Sequence, residues 1–377
     1  MNHIGRDEMT RIHITASRDY DVLLEQGLLE RAGAHIKEAL GLKGDLLTGK
    51  LTDKKICIVT DARVNQLYGQ HDHQLYQSLR AEGFDVYKFV FQGGEETKSM
   101  ETIEQILDFL TEKSFTRSDL LLALGGGIVG DVTGFAAAIY LRGIEFIQVP
   151  TTLLACVDSS VGGKTGVNLP AGKNLAGAFW QPSLVIFDPH VLQTLSYDLI
   201  LDGIAETIKA GVIADKLIIE TIERKRNLDD LEFLTTLASL AIEVKKKVVE
   251  EDEREHGSRQ LLNFGHTIAH GIEKCSNYRI SHGHAVAIGM KIVSVASDRL
   301  GWTIEKSSEQ LVDILERFGF PLDCPYSAWE LADAAMADKK RRGDNITLVI
   351  PVAIGKCRLK TIPVSSLEQF ISYGVNS

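Results

Sequence analysis

The second half of the sequence concentrates histidines at spacings that suit metal binding. NFGHTIAH places His266 and His270 four residues apart, which puts both on one face of a helix. HGHAVAIGM adds His282 and His284 a short distance later. A zinc protease of the HExxH type would need a glutamate directly after the first histidine. Thr267 stands there instead, so the sequence argues against a protease.

An acidic helix supplies a further candidate ligand. GIAETIKAG places Glu206 and Lys209 three residues apart, again on one helical face. Imidazole and carboxylate groups together bind borderline metals such as zinc, and three protein ligands leave a position open for a substrate. Any one of the histidines alone would be better explained as a structural residue. Taken with the acidic helix and a glycine turn in the first half, the cluster indicates a catalytic metal site.

That glycine turn has the pattern of a dinucleotide site. GGGIVGD follows the apolar run LLLAL, and Gly125, Gly127 and Gly130 satisfy G-x-G-x-x-G. Such glycines let the backbone approach a pyrophosphate beside a helix N-terminus, although a plain glycine turn would show the same residues. The acid that usually follows about 20 residues later is unconvincing, because Glu145 lies inside the next predicted strand. We therefore predict a dinucleotide site that differs from the standard Rossmann kind.

A second glycine-rich segment carries lysine. SSVGGKTG has Asp158 before it where a P-loop needs its first glycine, so a P-loop is rejected. Lys164 in this segment, and Lys173 with Asn174 in AGKN, are predicted to lie in mobile, glycine-rich loops that suit an oxyanion. Spacing alone would favour plain exposed loop lysines.

One arginine stands apart from the charged run that precedes the histidine motif. KKKVVEEDERE, residues 245–255, has the pattern of a solvated helix face. Arg259 comes directly before the apolar stretch LLNFGH, which should be buried. We expect its guanidinium to bind a carboxylate or phosphate of a ligand.

The elements that must position these residues change character along the chain. In the first half, helix-length segments such as METIEQILDFLTEK separate short apolar runs at residues 54–62, 84–91, 120–124, 145–150 and 184–189. This alternation predicts βαβ units and a mainly parallel, Rossmann-like sheet. Amphipathic helices follow, with one late β-like segment, NITLVIPVAIG. The predicted fold class is α/β, with a sheet domain over residues 1–187 and a mostly α-helical domain over residues 188–377.

Composition and charge limit the partners. The chain has 377 residues, of which 44% are hydrophobic and 24% charged, which is enough for two globular domains. A net charge of −10 argues against nucleic acid, whose phosphates need a basic surface. The five cysteines form no CxxC pair, no apolar run approaches the ~20 residues that span a bilayer, and the N-terminal segment lacks the apolar core of a signal peptide. We expect a cytoplasmic protein with reduced thiols and no membrane partner.

Several motifs occur in the order of a known enzyme family. They are GGEETKS, GGGIVGDVTGF, RGIEFIQVPTTLLACVDSSVGGKTGVN, GKNLAGAFWQP, AETIKAG, DERE, LLNFGHTIAH and HGHAVAIGM. Together they resemble the 3-dehydroquinate synthase family of the shikimate pathway, over roughly residues 10–365. The resemblance implies a dehydroquinate synthase-like fold, a tightly bound NAD in the first domain, one divalent metal ion (zinc or cobalt), and a homodimer. The active site is expected in the cleft between the two domains.

The resemblance also implies roles for individual residues. The implied metal ligands are Glu206, His266 and His282. The implied NAD-binding residues are Asp61, Glu95, Lys98, Gly127, Ile128, Val129, Gly130, Asp131, Thr151, Thr152 and Thr194, with Lys164 and Lys173 also beside the cofactor. The implied substrate residues are Lys164, Asn174, His270 and either Lys339 or Lys340 on the phosphate side, and Lys245, Arg259 and Asn263 on the carboxylate side. Further active-site matches are Asp158, Lys173, Lys209 and Glu255, and Arg142 matches a residue that reaches the partner subunit's site.

The implied reaction converts a small phosphorylated sugar acid, 3-deoxy-D-arabino-heptulosonate 7-phosphate, to 3-dehydroquinate and phosphate. NAD would take a hydride from C5, phosphate would be eliminated, NADH would return the hydride, and an aldol step would close the carbocycle, which makes the enzyme a carbon–oxygen lyase. Other sugar-phosphate cyclases, such as 2-deoxy-scyllo-inosose or valiolone synthase, share this fold but need no carboxylate clamp. A metal-dependent polyol dehydrogenase and a non-catalytic NAD-binding regulator are the remaining alternatives.

Three positions depart from the family pattern. His284 stands where Glu is common, Ala269 replaces a usual Gly, and Gly93 replaces a frequent Asp. His284 lies two residues from His282, a spacing that directs the two side chains to different faces of a helix. His282 is therefore kept as the expected ligand.

Overall fold

The computed structural model describes residues 9–42, 54–225, 227–339 and 344–375, without the side chains of residues 336–339. Contacts divide the chain into two compact units, of which the first ends at Leu195 and the second begins at Ser196. The sequence-based boundary between residues 187 and 188 lies near this division and stays a prediction.

Among the described residues, a seven-stranded sheet forms the centre of the first unit. Its strands are β1 (Thr10–Ile14), β2 (Tyr20–Leu24), β3 (Lys55–Asp61), β4 (Asp85–Phe91), β5 (Leu120–Gly125), β6 (Glu145–Pro150) and, later in the chain, β9 (Leu184–Phe187). They lie in the order β1-β2-β9-β6-β5-β3-β4, and every neighbouring pair is parallel except β1 with β2. The mainly parallel sheet and its five predicted strands are confirmed.

Helices cover this sheet and bury its central strands. They are α1 (Ala32–Ala39), α2 (Ala62–Tyr68), α3 (Gln74–Ala81), α4 (Met100–Glu112) and α5 (Gly127–Ile139). Every residue of β5 is buried, which explains why LLLALG is a continuous apolar run rather than an alternating one. A core that includes Ile106, Leu121, Val132 and Phe146 packs α4 and α5 against the strands.

Every strand of the sheet except β1 has its carboxyl end at the same edge. The chain passes from β3 to β4 on one side, and then returns to form β5 on the other side of β3. Ligands of open parallel sheets bind outside the carboxyl ends of the strands, at the point where the chain order reverses. The loops after β3, β4, β5 and β6 are therefore the part of this unit that is best placed to bind a ligand.

The segments that carry Lys164, Lys173 and Asn174 form a β-ribbon, and the prediction of mobile loops is wrong. Strand β7 (Lys164–Leu169) pairs antiparallel with strand β8 (Gly172–Phe179). The backbone of these residues is therefore held by a hydrogen-bonded ladder.

Close backbone contact explains the glycines of this ribbon. Gly166 and Gly177 are partners in its register. A Cβ at Gly177 would lie 2.1 Å from the Thr165 carbonyl oxygen, and one at Gly166 would lie 2.5 Å from the Ala176 carbonyl oxygen. These glycines are required for the close approach of the two strands, and they do not indicate a mobile loop.

The second unit is mostly helical, as predicted. Its helices are α6 (Tyr197–Ile213), α7 (Lys216–Arg224), α8 (Leu231–Glu251), α9 (His266–Cys275), α10 (His282–Arg299), α11 (Ser308–Arg317), α12 (Ala328–Lys339) and α13 (Leu367–Val375). The late β-like segment forms β10 (Asn345–Ala353), which pairs antiparallel with β11 (Lys356–Pro363). Helix α10 is central, because it packs against α6, α9, α11 and α13. Within the described residues, no helix is both long and apolar enough to cross a membrane.

The ribbon gives a stability prediction. We expect Gly177→Ala to lower the free energy of unfolding by about 1–3 kcal/mol, because the added methyl group forces two paired backbones apart. Leu175→Ala, at an exposed position of the same strand, should change it by less than about 0.5 kcal/mol. Urea unfolding monitored by circular dichroism measures both, and equal values for the two variants would contradict the close contact.

Candidate active site

The predicted NAD-binding residues lie along the carboxyl edge of the sheet in the first unit. Asp61 ends β3 and caps α2, because its Oδ1 accepts a hydrogen bond from the Val64 N–H at 2.9 Å. Glu95 lies in a 3-10 turn after β4. Thr151 and Thr152 follow β6, and the Thr151 N–H donates to the Gly125 carbonyl at 2.9 Å. Residues that are far apart in the sequence thus share one edge.

The glycine turn lies at the same edge and leaves a helix N-terminus without a side-chain cap. Helix α5 begins at Gly127, and its N-cap, Gly126, has no side chain to accept the first N–H groups. A Cβ at Gly127 would lie 3.0 Å from Ser159 Oγ, and one at Gly130 would lie 2.6 Å from Gln148 Oε1. The turn can therefore offer N–H groups to an anion such as a pyrophosphate. Ile128, Val129 and Asp131 lie in the first turns of this helix.

Glu145 lies at the opposite edge, as its place within a strand indicates. It is the first residue of β6, and it binds Arg18 at 2.6 Å and the Ser183 hydroxyl. These contacts occur at the amino ends of the strands. Glu145 is therefore not the ribose-binding acid of a standard Rossmann site.

A buried lysine connects the glycine helix to the ribbon. The Lys98 ammonium donates to Asp131 Oδ2 at 2.6 Å and to Asn174 Oδ1 at 2.5 Å, and the residue is 6% exposed. A buried ammonium is stable only when such acceptors surround it. Lys98 and Asp131, predicted for NAD, and Asn174, predicted for phosphate, therefore form one network.

Asn168 belongs to this network, although sequence reasoning missed it. Its amide donates to Glu95 Oε1 at 2.8 Å, and its Oδ1 accepts the Asn174 N–H at 2.9 Å. It lies where the register of the ribbon shifts, between Val167 and Leu169. The Lys173 ammonium lies 3.5 Å from the same Glu95 oxygen. The only sequence signal that could have identified Asn168 is its position beside the lysine motif.

Three of the predicted site residues have a left-handed backbone. Arg142, Asn174 and Glu255 have φ values of 69°, 54° and 61°. Asparagine tolerates this region, but for arginine and glutamate it is uncommon, and such strain concentrates at functional sites. Arg142 is also exposed, next to Leu141, whose φ is 49°.

Two further predicted residues lie in short helical turns of the first unit. Asp158 lies in a single π-helical turn, Ala155–Ser159, a geometry that is frequent at functional sites. Thr194 ends a 3-10 helix, and its hydroxyl lies 2.7 Å from the Tyr68 hydroxyl.

Glu206, His266 and His282 come together in the second unit. Each offers one ligand atom, and these atoms lie within 4.8 Å of one another. Glu206 Oε1 is 3.5 Å from His266 Nε2 and 3.4 Å from His282 Nε2. One carboxylate and two imidazoles form a donor set that zinc and cobalt accept. The three residues therefore fit a divalent metal ion.

The outer atoms of these side chains are held in place. His266 Nδ1 lies 3.1 Å from the Phe264 carbonyl oxygen, and His282 Nδ1 lies 3.6 Å from Glu273 Oε2. The Lys209 ammonium pairs with Glu206 Oε2. Contacts of this kind orient metal ligands and fix which imidazole nitrogen faces the metal. Glu273 was not identified from the sequence, although it lies two helical turns after His266, on the same face of α9.

The other two histidines lie outside this ligand group. His284 Nδ1 is 3.0 Å from Asp202 Oδ1, and its ring packs against Phe320 with the centroids 5.4 Å apart. His270 is exposed, and its ring centroid is 5.8 Å from that of His266. The structure therefore separates His284 from the ligands, as its spacing from His282 predicts.

The predicted carboxylate-side residues lie on α8 and the segment that packs against it. Lys245 is buried on α8, and Arg259 is 1% exposed in the 3-10 helix Ser258–Asn263. The Arg259 guanidinium donates to the Glu253 carbonyl. Arg259 is buried, as the apolar stretch after it predicts.

Hydrogen bonds to the carboxylates of Asp252 and Glu255 hold the loop between α8 and the 3-10 helix. The Asp252 carboxylate accepts the N–H groups of His256, Gly257 and Arg259 at 2.9, 2.7 and 3.1 Å. The Asn263 amide donates to Glu255 Oε1 at 2.9 Å.

Of the phosphate-side lysines, Lys340 and the side chain of Lys339 lie outside the described residues.

Burial and charge move the pKa values of the two candidate imidazole ligands in opposite directions. Burial, helped by the Lys209 charge, lowers the pKa of His266 to about 3. Burial also opposes a charge on His282, but the nearby carboxylates of Glu206 and Glu273 outweigh it and raise the pKa of His282 to about 10. Without a metal ion, His282 is therefore the imidazole that carries a proton at neutral pH.

The sequence patterns of two protein-family domains match consecutive parts of this chain. The description "3-dehydroquinate synthase N-terminal" matches residues 88–202, and "3-dehydroquinate synthase C-terminal" matches residues 203–341. A protein from Streptococcus sanguinis (strain SK36) named 3-dehydroquinate synthase is 39% identical over 356 residues, which cover 93% of this chain and 96% of that protein.

Solved structures of two sugar-phosphate cyclases have the same fold. One is 2-deoxy-scyllo-inosose synthase complexed with carbaglucose-6-phosphate, NAD⁺ and Co²⁺, with a TM-score of 0.85 and 26% identity over 97% of this chain and 100% of that chain. The other is ValA (2-epi-5-epi-valiolone synthase) from Streptomyces hygroscopicus subsp. jinggangensis 5008 with NAD⁺ and Zn²⁺ bound, with a TM-score of 0.81 and 26% identity over 96% of this chain and 98% of that chain. The predicted fold class is confirmed.

The raised pKa of His282 gives a prediction for metal binding. Because ligand nitrogens must be deprotonated, Zn²⁺ should displace about one proton when it binds to the metal-free protein near pH 7.5. Affinity should then rise with pH up to the pKa of His282. Titration calorimetry in buffers of different ionisation enthalpy measures the released proton. Glu273→Gln should release less than the wild-type chain, and zero release by the wild-type chain would contradict the raised pKa.

Proposed function

This chain belongs to the 3-dehydroquinate synthase family, and we propose that it converts 3-deoxy-D-arabino-heptulosonate 7-phosphate to 3-dehydroquinate and phosphate. The proposed reaction is a carbon–oxygen lyase reaction that depends on NAD and on one divalent metal ion. The observation that carries it is the convergence of Glu206, His266 and His282 in a chain that matches this family over most of its length.

The proposed cofactors supply chemistry that side chains lack. NAD accepts and returns a hydride, and a divalent metal ion polarises hydroxyl groups and lowers their pKa. Glu206, His266 and His282 would hold the metal ion, and the residues at the carboxyl edge of the sheet would hold NAD. The NAD⁺ and the Co²⁺ or Zn²⁺ of the two similar cyclases support both assignments.

Charged side chains would hold the substrate at both ends. Lys164, Asn174 and His270 are proposed to bind the phosphate, with a lysine from residues 339–340. Lys245, Arg259 and Asn263 are proposed to bind the C1 carboxylate. Fixing both ends restricts the reacting carbons to one arrangement and so reduces the entropic cost of reaction. The carbaglucose-6-phosphate bound by a similar cyclase supports a phosphorylated sugar as the substrate class.

Several residues would position these groups rather than react. Lys209 holds one oxygen of Glu206, which leaves the other oxygen directed at the two imidazoles. Glu255 holds the Asn263 amide, and Lys98 holds Asn174. Asp158 and Lys173 are proposed as further active-site residues.

We also propose that the chain acts as a homodimer in which Arg142 reaches the partner subunit's site. Support comes from the exposed side chain of Arg142 and from its left-handed backbone. Such a conformation is retained where a side chain must be aimed in a fixed direction.

Other sugar-phosphate cyclases are the competing function, because two of them share the fold. Their substrates carry no carboxylate at C1. Lys245 and Arg259 are buried on or beside α8, where they are proposed to bind that carboxylate. These two residues favour the sugar acid.

A product assay tests the reaction. With the heptulosonate phosphate, Zn²⁺ or Co²⁺ and catalytic NAD, we expect phosphate and dehydroquinate in equal amounts without net NADH. A chelator should abolish turnover, and the added metal ion should restore it. Turnover of glucose 6-phosphate in place of the sugar acid would transfer the chain to the competing function, and full activity in the metal-free protein would refute the metal-dependent reaction.

Lys164 gives a prediction that separates substrate from cofactor. We expect Lys164→Ala to lower kcat/KM by about 100-fold or more, a loss of ~3 kcal/mol of transition-state stabilisation, while NAD affinity stays near the wild-type value. Lys113→Ala, at a partly exposed lysine outside the predicted site in the same unit, should leave both quantities unchanged. An equal loss of NAD affinity in Lys164→Ala would count against its assignment to phosphate.

A further inference from the structure

We propose that Asp202 is a positioning residue for the metal site: from helix α6 it caps the start of helix α10 and so holds His282 against Glu206. The inference deepens the proposed function and rests on it in one respect, because it takes Glu206, His266 and His282 as metal ligands. It concerns a residue that makes no contact with the metal ion.

Helix α10 starts without a cap from its own N-terminal residue. Its N-cap is Ser281, whose side chain caps none of the N–H groups of the helix. Asp202 provides the missing acceptor, because its Oδ1 accepts the His284 N–H at 3.2 Å. The first N–H groups of a helix have no partner within the helix, and a carboxylate placed there also interacts favourably with the helix dipole. Asp202 therefore performs, from a different helix, the role of an N-cap.

The same carboxylate oxygen gathers two side chains of this helix start. The Ser281 hydroxyl donates to Asp202 Oδ1 at 2.6 Å, and His284 Nδ1 lies 3.0 Å from that oxygen and 2.7 Å from Ser281 Oγ. Asp202 is 6% exposed. A buried carboxylate with three donors on one oxygen is a strong and directional anchor.

The two helices touch at this point through their backbones. A Cβ at Gly283 would lie 2.3 Å from the Asp202 Cα and 2.6 Å from its carbonyl oxygen. Only glycine permits this approach. The first turn of α10 therefore cannot shift along α6 without breaking the contacts of Asp202.

This anchor lies next to the ligands. Asp202 precedes Glu206 by four residues, so both side chains lie on one face of α6. His282 is the first residue of α10, and its Nε2 is 3.4 Å from Glu206 Oε1. A helix start that moved by one residue would rotate the ligand by about 100° around the axis. By fixing where α10 begins, Asp202 fixes where His282 points.

The anchor also determines which residue types position 284 can accept. With Asp202 opposite, this position needs a hydrogen-bond donor, which histidine supplies. A glutamate there would place two buried carboxylates against each other, which is strongly unfavourable. A glutamate at position 284 should therefore be harmful in this chain.

Metal affinity tests the proposal independently of turnover. The metal-free protein and its variants are titrated with Zn²⁺ against a competing chelator, and the visible absorption spectrum of the Co²⁺ form is recorded. Asp202→Ala should raise the Kd for Zn²⁺ by about 10- to 100-fold, the range for residues that orient metal ligands, and should alter the Co²⁺ bands. Asp202→Asn retains an acceptor oxygen and should recover most of the lost affinity.

Asp298 offers a matched control. Its carboxylate lies on α10 and accepts the Ser308 N–H at 3.0 Å, at the start of α11, a helix that carries none of the predicted ligands. Asp298→Ala should lower the melting temperature without changing the Kd for Zn²⁺ or the Co²⁺ spectrum. An equal loss of metal affinity in Asp298→Ala would show that general loosening, rather than the anchor, causes the effect, and would overturn the proposal.

A second pair of variants covers the case in which Asp202→Ala does not fold. His284→Glu should weaken Zn²⁺ binding about tenfold or more, and adding Asp202→Ser, which removes the opposing charge and provides a donor, should restore it. Wild-type affinity in Asp202→Ala or in His284→Glu would overturn the proposal. If the wild-type chain bound neither Zn²⁺ nor Co²⁺, the metal site of the proposed function would itself be refuted, which distinguishes the two failures.

Discussion

A buried carboxylate must be surrounded by positive charge and hydrogen-bond donors, and Glu206 sets this requirement for the second unit. It is 2% exposed in the middle of α6, where Lys209 pairs with one oxygen and two imidazoles approach the other. Both histidines are the first residues of their helices, α9 and α10. The positions of three helices therefore depend on one negative charge, and the oxygen that faces the two imidazoles is the one that a divalent cation would bind.

The first unit solves a different problem, which is to gather backbone N–H groups and side chains at one edge of a sheet. Parallel strands deliver the loops, the glycine turn supplies a helix start, and the ribbon adds polar side chains through Asn168 and Asn174. Lys98 connects the ribbon to the glycine helix. The network links residues that the family resemblance assigns to NAD with one that it assigns to phosphate. A substitution at a predicted NAD-binding residue should therefore also affect phosphate binding, and the reverse.

Local patterns made much of this architecture predictable. The five apolar strands and the amphipathic helices are confirmed. Burial on both faces of a sheet produces a continuous apolar run, and burial along one face of a helix produces a helical period, and the sequence shows both. The ribbon of Lys164 and Lys173 was misread, because glycines that permit close strands look the same as glycines that permit mobility. Asn168 and Asp202 could not be found, since they act through partners distant in sequence and have no periodic pattern. For His284, helical spacing correctly predicted that the side chain points away from the metal ligands, but it could not identify Asp202 as the partner.

The two edges of the sheet in the first unit divide their tasks. At the amino edge, Arg18, Glu145 and Ser183 hold strands together, while the carboxyl edge presents loops and a helix start. Substitutions at the amino edge would lower the folding yield. Substitutions at the carboxyl edge would alter ligand binding or reaction while the fold stays intact. Such a separation lets the ligand-facing loops diversify during evolution at little risk to the fold, and the shared architecture of cyclases with different substrates is the outcome that it would produce.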